Sequence, residues 1–90
     1  MAGVTADPEQ LEELARDLAA FTQETREQLA RLNARLHEMG QDTWRDARYQ
    51  EYEEMFERTR VQLAQVLEHV DTEHVPHLRG LAERLRTYLS

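Results

Sequence analysis

Ninety residues leave room for one small domain with little closed core, and 40% apolar against 32% charged residues, with three glycines and two prolines, is the composition of long amphipathic helices. A net charge of −7 argues against phosphate-backbone binding and disfavours an anionic membrane surface. The absence of cysteine excludes disulfides and thiolate chemistry.

Residues 1–6 read as a short disordered lead, with no basic region or apolar run of the kind a secretory signal peptide needs. Asp7-Pro8-Glu9-Gln10 is a helix start, with Asp as N-cap and Pro at the first helical position. From there Leu11, Leu14, Leu18, Phe21, Thr25, Leu29, Leu32, Leu36 and Met39 recur in steps of three and four. The spacing predicts a helix over 8–39, roughly 48 Å long. Two consecutive steps of four around Thr25 make an eleven-residue repeat from Leu18 to Leu29, which relaxes a left-handed supercoil locally. Ala15, Ala19, Ala30 and Ala34 flank the stripe and admit a close neighbour.

The stripe breaks at Gly40-Gln41-Asp42-Thr43, and the single tryptophan, Trp44, follows. Gly40 suits a left-handed helix stop, Thr43 an N-cap, and Asp46 the third position of a new helix, where a carboxylate favours the positive dipole end. A stop followed by a start predicts a helical hairpin with its bend at 40–43. The second helix, over 44–74, carries Tyr49, Tyr52, Phe56, Thr59, Leu63, Val66 and Val70 at alternating steps of three and four. Pro76 removes an amide and predicts a kink or break, so 77–89 is either a third helix or a bent continuation of the second.

A third helix of about 13 residues would span only ~20 Å and would cover less than half of the hairpin if it folded back. The remaining stripe would stay exposed, the mark of a partner surface. The expected architecture is therefore all-α: one helical-hairpin domain over 1–90 that dimerises into a four-helix bundle. Its interface residues, within the hairpin or between copies, are Leu11, Leu14, Leu18, Phe21, Leu29, Leu32, Leu36, Tyr49, Tyr52, Phe56, Leu63, Val66 and Val70. Gly40, Thr43, Trp44 and Asp46 form the bend and its docking point.

Candidate chemistry is sparse. His69, Glu73 and His77 have an i, i+4, i+8 spacing that suits zinc on an unbroken helix, but Pro76 interrupts it, and histidines near a helix end are ordinarily solvated or capping. Acid loosening of this end by histidine protonation is a further expectation. Glu12-Glu13 and Glu53-Glu54 are adjacent pairs facing solvent, unlike a catalytic pair in a cleft. No nucleophile signature, phosphate loop or metal motif points to an enzyme, a cofactor or a resident metal.

The length, the two long helices and a tryptophan in the bend resemble the W-x-G (early-secreted-antigen-like) family of small bacterial type VII secretion proteins. The resemblance covers about Leu11 to Val70. It implies a hairpin that dimerises with itself or with a paralogous small helical protein, is made in the cytoplasm, and is exported without a signal peptide as an effector, carrier or adaptor. A secretion ATPase or effector is then a further partner, docking at Trp44. Two positions depart from the family pattern. Asp46 stands where the motif has glycine, and Tyr49-Gln50-Glu51-Tyr52-Glu53, the one match to the Y-x-x-x-D/E export signal, opens the second helix instead of following it. The competing reading is an intracellular coiled-coil adaptor or structural subunit.

Overall fold

The computed structural model describes residues 6–89, so the lead residues 1–5 lie outside it. Two antiparallel helical rods make a molecule of 65 × 20 × 16 Å. The smallest dimension is that of a single helix layer with its side chains. Each rod therefore has one neighbour within the chain, and no further layer covers the two broad faces.

The first rod is α1, Pro8–Asp42. It starts as the capping chemistry requires: Asp7 adopts extended backbone, its carboxylate accepts from the Glu9 amide at 2.9 Å, and Pro8 occupies a position that needs no amide. The second rod is α2, Ala47–His69, joined through one π-helical segment, Val70–His74, to α3, Val75–Leu89. Residues 77–89 thus belong to a continuation of the second rod. Among the described residues no helix is long and apolar enough to cross a membrane.

The π-turn is the physical answer to Pro76. Proline offers no amide and its ring crowds the carbonyl four residues back. Widening the preceding turn lets the Val75 amide reach the Val70 carbonyl, five residues back. The extra residue also shifts the phase of the rod. Leu67 is buried against α1, and one heptad on stands His74, yet the next buried residue is Val75. Without the wide turn a histidine would face the hairpin core.

The core runs along the seam between the rods and consists of Ala15, Leu36, Leu67, Val75 and Ala82 with the hydroxyl-bearing Thr22. Alanine on both rods lets their backbones close: Cα atoms come within 8 Å mainly along α3 and the π-turn, and much less along α2. Thr22, 1% exposed, donates to Asp71 Oδ1 at 2.6 Å, and Arg26 pairs with Asp71 Oδ2 at 2.7 Å. These contacts fix the register of the rods at mid-length. Nearer the open termini Arg86 pairs with Glu12 at 2.5 Å and holds its carboxyl below the ordinary range.

Three expectations at the bend are corrected. Gly40 does not end α1, which runs two residues further to Asp42, and no described residue has a positive φ. Thr43 caps the C-terminus of α1 and not the N-terminus of α2, its amide and that of Trp44 both donating to the Met39 carbonyl. Asp46 is the N-cap of α2, its carboxylate accepting from the Tyr49 amide at 3.1 Å, so Trp44 lies in the connecting turn and α2 begins at Ala47, not 44. Aspartate outranks threonine as an N-cap, and one of the last carbonyls of α1, that of Gln41, accepts from the Arg45 side chain.

Candidate functional site

Trp44 is fixed from three directions. Its indole Nε1 donates to Asp46 Oδ1 at 2.9 Å, the same oxygen that caps α2. The ring meets Tyr49 edge-on at 5.5 Å and stacks on Tyr52 at 6.0 Å, and Tyr52 in turn lies 6.4 Å from Phe56. Such pairs contribute about 0.5–1.5 kcal/mol each beyond area burial. Trp44 remains half-buried, so one side of the cluster faces outward.

Gly40 has its role here. A Cβ at this position would overlap the ring of Tyr49, so the glycine serves close approach between the rods and not a turn. Tyr49 closes the arrangement by donating its hydroxyl to Glu53 at 2.8 Å, and the carboxylate raises the phenol's pKa. The bend is thus one connected unit: Gly40 admits Tyr49, Tyr49 and Tyr52 hold Trp44, and Asp46 holds both Trp44 and the helix. The Gly40–Tyr49 and Arg45–Gln41 contacts were not foreseen. A glycine sharing α1's apolar phase with Leu36 was the available signal for the first.

The apolar stripes divide between two surfaces. Of the expected interface residues, Leu36 is buried in the seam, while Leu11, Leu18, Leu29, Tyr49, Phe56, Leu63 and Val70 are half-buried. Leu14, Phe21, Leu32, Tyr52 and Val66 are 42–57% exposed. On α1 the exposed ones, Leu14, Phe21 and Leu32, recur at steps of seven and eleven and so share one side of the helix. Near α3, Leu14 and Leu18 line a groove with His74, His77, Glu73 and Leu78. Near the bend, Leu32 and Met39 line another with Trp44, Tyr52 and Phe56, with Arg35 at its rim. The rest of the seam is filled by Ala15, Thr22, Leu67, Val75 and Ala82, and Ala15 is one of the small residues expected to admit a close neighbour.

The histidines do not gather with Glu73 into a metal set. The wide turn brings His69 against His74, ring centroids 5.4 Å apart, and among the described residues no group of three or more potential ligands is placed to hold an ion.

A thin helical hairpin with an aromatic bend and an open apolar face defines a class of small all-helical proteins. The chain matches, over residues 3–87, the family model described as proteins of 100 residues with WXG, and it belongs to that family of small type VII secretion proteins. No curated protein and no solved structure matches it. At the motif's third position Asp46 replaces glycine, and the geometry shows what each residue does: Asp46 caps α2 and anchors Trp44, while close approach is provided by Gly40 four residues before the tryptophan.

Proposed function

We propose that this protein acts by helix–helix recognition, without catalysis, as a secreted partner or adaptor of a type VII-like secretion system. The open face takes a second hairpin, its own copy or a paralogous small helical protein, to complete a four-helix bundle. Proteins of the family typically form dimers with partners of the same family. Trp44 and its bend then stand at the end of the bundle, where a secretion ATPase or effector docks.

The observation that carries this reading is the one-sidedness of the exposed apolar residues. Phe21, Leu32 and Val66 are each more than half exposed and lie on a layer one helix thick. Contiguous apolar surface of this kind marks a partner site. One member of each adjacent acidic pair is engaged in structure, Glu12 with Arg86 and Glu53 with Tyr49.

Light scattering over a hundredfold dilution tests the bundle. A dimer is expected, and Phe21→Glu combined with Val66→Glu should give a helical monomer. A well-folded wild-type monomer that captures no small helical partner from its source would overturn the reading. Trp44→Ala should leave the dimer in place and abolish export, which separates docking from assembly.

A further inference from the structure

The chain has no cysteine, and beyond Met1 its only sulfur atoms are the thioethers of Met39 and Met55. Neither lies in the seam: Met39 is 41% exposed and Met55 is 55% exposed. Met39 continues the open side of α1, seven residues after Leu32, and lines the groove that holds Trp44, Tyr52 and Phe56. Met55 stands one turn beyond Tyr52 and eleven residues before Val66, which puts it with them on the outward side of α2. We infer that Met39 and Met55 are a peroxide-sensitive modification site, and that their conversion to sulfoxides withdraws this face from pairing with a second copy of the chain. The inference rests on the dimeric reading above.

A second copy is favoured by the charges beside the face. Asp17, Glu24 and Arg31 recur at seven-residue spacing and so share one flank of α1, with Arg35 one turn beyond Arg31. None of the four makes an ion pair among the described residues. A copy laid antiparallel brings the acidic half of its flank to Arg31 and Arg35 of the first. The same placement lays the Met39 end of each copy over the Leu11 and Leu14 end of the other, so both thioethers enter apolar surroundings.

The chemistry is a two-electron oxidation by hydrogen peroxide. A sulfur lone pair attacks one peroxide oxygen, the O–O bond breaks, and the second oxygen leaves as water, carrying the proton of the first. Sulfur is oxidised, peroxide is reduced, and no other reactant is needed. The product places a polar acceptor on a side chain that had none of comparable strength. In the single hairpin that oxygen faces solvent and takes water, so the fold tolerates it. Between paired faces it meets leucine and aromatic side chains, and an unmet buried acceptor weakens association. Pairing also covers the thioethers, so peroxide reaches them in the unpaired chain and leaves it unpaired.

Sedimentation equilibrium of the full chain tests this, before and after hydrogen peroxide is applied at low protein concentration. Peptide mass mapping establishes when Met39 and Met55 have each gained one oxygen. The dissociation constant should then rise about tenfold or more, with helix content by circular dichroism unchanged. Met39→Leu combined with Met55→Leu conserves volume and keeps Met1, and should dimerise with less than about a threefold change on the same treatment. An oxidised wild type that pairs as tightly as before, or that loosens only by losing helix, overturns the site and leaves the dimer standing. So does a double variant that loosens as much as the wild type. An untreated chain that is monomeric overturns both readings.

Discussion

The two ends of the hairpin are built from opposite materials. At the end away from the bend, Ala15 and Ala82 are fully buried and the backbones close upon each other, with Thr22, Arg26 and Asp71 bonded across the seam at mid-length. At the bend end Trp44, Tyr49, Tyr52 and Phe56 pack on one another, and α2 buries only Leu67. Small residues bring helix axes together, and large rings hold them apart while filling the gap. The tight end sets register. The wide end turns its large side chains outward, and that is where a partner finds apolar surface.

The contrast breaks most severely at its tightest point. Ala82→Leu should lower stability by about 3 kcal/mol, since overpacking a filled seam forces the rods apart. Ala64→Leu, on an exposed position of α2, should change it by less than about 0.5 kcal/mol. Thermal melts followed by circular dichroism at one fixed protein concentration would show the difference, and equal effects would mean that the two ends are packed alike. Thr22→Val keeps the shape and removes the cross-rod hydrogen bond, for an expected loss of about 1 kcal/mol.

Asp71 sharpens the same comparison through pH. The Thr22 hydroxyl, and after it the Arg26 guanidinium, hold its carboxyl below the ordinary value. A depressed carboxyl stabilises the fold fully above its unfolded pKa, about 3.9, and that contribution fades as pH falls through the folded value. The stability gap between wild type and Asp71→Asn should therefore stay constant from pH 7 to 5 and narrow below about pH 4. A gap that persists at pH 2 would remove the carboxylate from the account. The smallest effect is expected at Gly40→Ala. Helix propensity gains about 1 kcal/mol, and displacing the Tyr49 ring offsets it, so stability should barely move. Tryptophan fluorescence should shift, because Trp44 loses its edge contact.

Much of this was legible before any coordinates. The Asp7-Pro8 start, the two long helices and the hairpin follow from spacing and a few cap residues, and the family from a resemblance in length, helix pattern and the place of Trp44. Two things were not. Apolar periodicity locates a stripe but not which of two interfaces it serves, and in this chain alanine and threonine take the intramolecular seam while Leu14, Phe21 and Val66 are left outside. At the bend, glycine and threonine carry familiar stop and start meanings, which tertiary contacts overrode: Tyr49 needs the space at Gly40, and Asp46 caps better than Thr43. Proline signalled a disturbance at 76 but not its form, because a break and a widened turn relieve the same clash.

The widened turn is pinned from the other rod. Thr22 and Arg26 of α1 are both bonded to Asp71 inside the π-turn. The buried residues of α1, Ala15, Thr22 and Leu36, keep an unbroken seven-residue phase, so the slip lies on the second rod alone, like a dislocation set against a regular lattice. The regular rod is thus the ruler against which the slipped one is placed.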